Sequence, residues 1–141
     1  RGLAVAVEEI ESEGIGKRIA RHRRQSTAFR EAMWAMGLES FPELNAESGY
    51  SNTLTAIELP EGAREEESSE FFDAVSERGV SISGGQAHLG GEIFRVSNMG
   101  NLTSGELLRG IRAIGEAFEA VGVDVDLDAG AETARYELRL D

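Results

Sequence analysis

The sequence predicts an α+β sandwich: a small, mostly antiparallel sheet covered on one face by helices, with the other face left free to meet something else. Three observations lead there. Segments of helical and strand period follow one another in the order helix, strand, helix, strand, strand, helix. Only a glycine-rich loop separates the two later strands, so they can pair as a hairpin. A length of 141 residues is enough to bury one hydrophobic core and too short for two comfortable ones.

The opening stretch from Leu3 to Ile10 is apolar and helical in character, and is then interrupted by Gly14 and Gly16. Beyond the interruption, Ile15, Ile19, His22, Ser26, Phe29, Met33 and Met36 recur at steps of four and three, as one face of an amphipathic helix requires. Gly37 stands where a helix-ending glycine belongs, and Pro42 prevents a restart. Asn52 to Leu59 is rich in Thr, Leu and Ile and closes at Pro60, which reads as a strand and turn. Glu65, Glu66 and Glu67 then precede Phe71, Phe72 and Val75, with Gly79 beyond. Acids at the positive end of a helix dipole and a glycine past its far end predict a second helix.

Val80 to Ser83 and Glu92 to Ser97 are β-type runs flanking a loop with Gly84, Gly85, Gly90 and Gly91. The last helix is the best signalled. Thr103 and Glu106 have capping-box spacing, and Leu107, Ile111, Ile114, Phe118 and Val121 form a continuous apolar stripe. From Gly122 to Asp141 the chain is acidic and weakly patterned, and is expected to be a partly extended or mobile tail.

Composition narrows the chemistry. There is no cysteine, hence no disulfide framework, thiolate nucleophile or cysteine-based metal site. No stretch approaches the roughly 20 apolar residues of a membrane span, and no charged-then-apolar leader opens the chain, so a soluble cytoplasmic protein is expected. The formal net charge is -12, from 26 acidic against 14 basic residues, and Lys17 is the one lysine. Such a surface repels nucleic acid and anionic membranes, and neither is expected as a partner. It fits a halophilic source as well as it fits an ordinary acidic protein from an arginine-rich genome.

Alternation in the run Glu92-Ile93-Phe94-Arg95-Val96-Ser97 puts Phe94 and Val96 on one face and turns Arg95 away from the core. A strand arginine beside a glycine-rich loop can grip a carboxylate through its planar two-point fork. Its commoner fate is a structural salt bridge. The basic residues between Lys17 and Arg30 lack interleaved aromatics and are expected to form interdomain or intrahelical ion pairs with acids such as Glu13. Asp124, Asp126 and Asp128 imitate the start of a calcium loop, but Ala129 holds the glycine position and Arg135 the twelfth, so that reading fails. His22 is expected to pack in the core, and His88 to be exposed in the loop.

The run from Ser83 to Asn101, SGGQAHLGGEIFRVSNMGN, is similar to a signature near the end of class V aminotransferases. There a Gly-Gly loop leads into a strand bearing Phe-Arg-Ile-Gly or a close relative, then a Met-Gly turn and a final helix. The opening Glu13-Gly14-Ile15 and Arg18-Ile19-Ala20-Arg21-His22 resemble the helix by which that family passes from its large domain into its small one. The alanine-glyoxylate or serine-pyruvate branch is the nearest in likeness, although Ser97 and Asn98 depart from its usual Gly-His.

The resemblance implies the C-terminal small domain of a fold type I homodimer, spanning residues 1–121 with entry helices over 1–37 and an acidic tail over 122–141. It implies that the arginine at position 95 holds the α-carboxylate of a small amino or keto acid, with Gly84 and Gly85 also binding the substrate. It also implies pyridoxal 5'-phosphate, bound to a lysine of the large domain. That lysine is not evident in this sequence: Lys17 sits among arginines on a helix surface, and there is neither a strand aspartate suited to a pyridinium nitrogen nor a phosphate-binding glycine loop opening a helix. The expected partners are therefore the protein's own large domain, a homodimer mate and the substrate, and this chain alone should be inactive. A free-standing α+β module that binds a metabolite or protein through its open sheet face is the alternative. A related desulfurase has no support from a chain without cysteine.

Overall fold

The computed structural model describes residues 2–140. Two helices open the chain, α1 (Gly2–Glu13) and α2 (Ile15–Ala35). Strands β1 (Ser40–Phe41) and β2 (Leu54–Glu58) follow, then a 3-10 turn (Glu65–Glu67) running into α3 (Ser68–Glu77). Next come β3 (Ser83–Gly84), a 3-10 turn (Ala87–Leu89) and β4 (Ile93–Ser97), and the chain finishes with α4 (Ser104–Ala120) and α5 (Leu127–Leu138). The strands form one antiparallel sheet in the order β1-β2-β4-β3. The predicted α+β class stands.

Helices cover the face on which Ile57 and Phe94 sit opposite each other across β2 and β4. Phe94 meets Phe71 of α3 and Phe118 of α4, and those two rings stack with centroids 4.2 Å apart. All three side chains are fully buried, each contributing about 1.5–3 kcal/mol of transfer free energy. From α2, Ala28, Phe29, Ala32 and Met33 close the core.

Each helix ends or begins as its local chemistry directs. After α2, Gly37 takes φ +87°, its N–H bonds the Trp34 carbonyl and the Leu38 N–H bonds that of Met33, the paired bonds of a glycine-terminated helix. At α4 the Thr103 hydroxyl accepts from the Glu106 N–H at 3.2 Å, while the Glu106 carboxylate accepts from the Thr103 N–H at 2.8 Å. These bonds from Thr103 hold the Glu106 carboxyl below its ordinary range.

Three expectations change, and one strand is added. The acidic tail is largely a helix: Asp126 caps α5 by accepting from the Ala129 N–H at 3.0 Å, and Ala131, Ala134 and Leu138 are buried against the domain. Close approach makes this possible, because a Cβ on Gly130 would lie 2.5 Å from Met36 Cγ and 3.0 Å from the Ala32 carbonyl oxygen. Second, Ile15 and Ile19 are 64% and 58% exposed, so the apolar face of α2 is buried only from His22 onward. Third, pairing begins at Ser83 rather than Val80, leaving 80–82 as a packed approach to β3. Strand β1 was not foreseen: it pairs only through Ser40 and Phe41, too short to show a period.

Candidate functional site

Arg95 lies mid-strand on the face away from the helices. Its opposite neighbours are Ala56 on β2 and Ser83 on β3, and Ala56 is in turn opposite Phe41 on β1. Phe41, Ala56, Arg95 and Ser83 thus form one row across the sheet, with small side chains on both sides of the arginine. Arg95 Nε donates to the Gly84 carbonyl at 2.8 Å. Among the described residues no carboxylate lies within 4.0 Å of its guanidinium, so the structural salt bridge common for strand arginines is not made. The fork is anchored at one nitrogen, and among the described residues its remaining N–H groups have no hydrogen-bond acceptor.

The glycine loop builds this anchor. A Cβ on Gly85 would come within 1.9 Å of the Leu89 carbonyl oxygen, and one on Gly84 within 3.2 Å of Phe72. The Gly85 N–H donates to the Ile93 carbonyl at 3.0 Å, and the Gly91 carbonyl accepts from the Glu65 N–H at 2.8 Å. The loop therefore folds tightly back on itself and on the approach to α3. Gly84 and Gly85 act through shape and a peptide oxygen, which fixes where the arginine points. His88 is exposed on the 3-10 turn of the same loop.

Asn98 is buried and structural: its Nδ2 donates to the His22 and Asn52 carbonyls, both at 3.1 Å. Sequence reasoning noted it only as a departure from the family pattern. Its setting was not legible, because both partners are backbone atoms far along the chain. His22 is buried as expected, with Nδ1 2.8 Å from the Arg18 carbonyl oxygen. Arg30, from the same basic run, is buried too. It donates to the Ser51 carbonyl at 3.0 Å and lies 5.3 Å over the Tyr50 ring, and burial pushes its guanidinium pKa down.

Two clefts are defined by other elements. One of about 540 Å³ lies between α1, α2 and residues 101–104, and one of about 210 Å³ lies between residues 79–82, β4 and α4. Neither includes Arg95, whose face of the sheet is open.

No protein-family model matches the sequence. Among curated proteins, an uncharacterised aminotransferase of Methanocaldococcus jannaschii is 35% identical over 137 residues, covering 96% of this chain and 34% of that protein. The serine–glyoxylate aminotransferase of Arabidopsis thaliana is 31% identical over 139 residues, covering 98% and 33%. The crystal structure of pyridoxamine–pyruvate aminotransferase from Mesorhizobium loti superposes with a TM-score of 0.87 at 28% identity, covering 98% of this chain and 34% of that one. Over nearly its whole length the chain resembles class V aminotransferases. It spans about a third of the length of the curated relatives it matches.

The one lysine among the described residues does not suit pyridoxal phosphate. Lys17 is exposed on α2 and lines neither cleft, whereas a lysine that holds the cofactor must be shielded and of depressed pKa. No helix among the described residues is long and apolar enough to cross a membrane.

Proposed function

We propose that this chain is the small domain of a longer, homodimeric, pyridoxal-phosphate-dependent transaminase, in which Arg95 grips the α-carboxylate of the substrate. The observation behind this reading is the state of Arg95: held by one peptide oxygen, without a carboxylate partner among the described residues, and flanked by Ala56 and Ser83 on an open face. A fork so held is pre-oriented to take a carboxylate in two parallel bonds. Small flanking side chains leave room for the acid to approach.

The substrates we propose are small amino acids such as alanine or serine and keto acids such as glyoxylate or pyruvate. Support comes from two of the proteins it resembles, a serine–glyoxylate and a pyridoxamine–pyruvate aminotransferase. Pyridoxal phosphate, when bound, supplies the electron sink for amino transfer. The residues that hold it belong, in this reading, to polypeptide beyond these 141 residues. The part of this chain is to fix the carboxylate so that the Cα proton is presented in one orientation.

An absorbance spectrum of the intact polypeptide, before and after L-alanine, tests the reading. A yellow band that bleaches with the amino acid supports it. A colourless protein that added cofactor cannot restore would favour a binding module instead. Arg95→Gln is expected to raise KM for both substrates by roughly 10- to 100-fold, from loss of about 1.5–3 kcal/mol of charge-assisted bonding, with cofactor absorbance retained. Unchanged KM would remove Arg95 from this role.

A further inference from the structure

The junction of α1 and α2 carries a charged network that the site above does not use. Gly14, with φ +84° and ψ 129°, interrupts the helix, and Glu13 is the last residue before it. A carboxylate at a helix C-terminus opposes the helix dipole, so Glu13 is not there to favour α1. Its oxygens instead accept from Arg21 Nε at 2.6 Å, Arg21 Nη2 at 2.8 Å and Arg18 Nη1 at 3.0 Å. All three side chains are at most a quarter exposed, so water and salt screen them weakly.

The same two arginines reach the turn that follows the Arg95 strand. Arg21 Nη2 also donates to the Gly100 carbonyl at 3.0 Å, and Arg18 Nη1 to Asn101 Oδ1 at 3.2 Å. Asn101 returns a bond to Glu9 of α1 at 2.7 Å. These polar contacts matter because α1 buries no residue of its own. Its residues Leu3, Ala4, Val5, Ala6 and Val7 are apolar around the whole circumference, which suits a helix enclosed by further protein.

We propose that Glu13 is a positioning residue: through Arg18 and Arg21 it sets the angle between α1 and α2 and ties that angle to the turn ending the Arg95 strand. In the intact polypeptide α1 is the lever gripped by the remaining chain, and the Glu13 network decides where the Arg95 fork falls relative to it. The positioning of substrate rests on the transaminase reading; the setting of the angle does not.

The test uses the intact polypeptide with spin labels on Glu11→Cys in α1 and Arg112→Cys in α4, both exposed positions. Glu13→Gln is expected to broaden or shift a single narrow distance, and to raise KM for amino and keto acid on the order of tenfold with cofactor absorbance unchanged. Glu13→Asp, which keeps the charge on a shorter arm, is expected to fall between, and serves if the Gln variant folds poorly. An unaltered distance in both variants overturns the proposal. An altered distance with unaltered KM, where Arg95→Gln does raise KM, overturns the positioning role. If Arg95→Gln also leaves KM unchanged, the transaminase reading of Arg95 fails and substrate positioning falls with it, while the distances still decide whether Glu13 sets the angle.

Discussion

At residue scale, backbone conformations around the glycine loop are as constrained as its side chains. Ala87 and Glu65 both adopt left-handed φ near 50°, a region in which a side chain costs about 1 kcal/mol or more. Ala87→Gly is therefore expected to stabilise the domain by about 0.5–1 kcal/mol, after allowing for the greater freedom of glycine when unfolded. A raised urea midpoint with an unchanged slope is the reading to look for. Glu13 makes a separate prediction. Its arginine partners, Arg21 first, lower its pKa to about 2 from an ordinary 4.5. Between those values the unfolded chain binds a proton that the folded chain refuses. Its contribution to stability is thus full above the ordinary carboxylate range and is lost as pH falls toward 2. Glu13→Gln should flatten the dependence of the urea midpoint on pH across that window, leaving the remaining carboxylates to supply what slope persists.

Among the elements, α4 was legible in full because its signals are local. The capping box and the apolar stripe both lie in the single local stretch from Thr103 to Val121, and the structure contains both. Thr103→Ala should cost about 1 kcal/mol in thermal or urea unfolding. Gly110, inside the same helix and facing open space, should gain up to about 1 kcal/mol as Gly110→Ala. The turn of Arg95 away from the core was legible for a similar reason, since alternation needs only neighbours. Its partners Ala56, Ser83 and the Gly84 carbonyl were not, because strand register is a property of pairing rather than of one segment. Helix α5 went unread although Leu127, Ala131, Ala134 and Leu138 recur at helical steps. Its buried face is built largely of alanine and glycine, which register weakly as apolar while permitting close contact with α2.

At the scale of the whole molecule, the domain is closed on one side and unfinished on the other. Leu3, Val5, Val7, Ile15, Ile19 and Met99 are all more than 40% exposed, from α1 through the turn after β4. An isolated polypeptide of residues 1–141 is expected to self-associate despite its net charge of -12. Sedimentation velocity should show that association, and Leu3→Asp with Val7→Asp should reduce it; a monodisperse parent would argue against α1 as a surface meant for further protein. Ile15 and Ile19 explain why sequence periodicity overstated the core. A helix face apolar toward a neighbouring unit has the same pattern as one apolar toward its own domain.

The clasp of α5 on α2 through Gly130 and Met36 also bears on how the protein is made. Ala32 and Met36 leave the ribosome about a hundred residues ahead of the helix that covers them, an interval of roughly 5–20 s at ordinary rates of synthesis. Throughout it the nascent domain can assemble its sheet, α3 and α4, yet Met36 stays bare toward α5. Closure of this seam waits for α5, so a chain cut short ahead of Gly130 leaves it open to chaperones or to another unfinished copy.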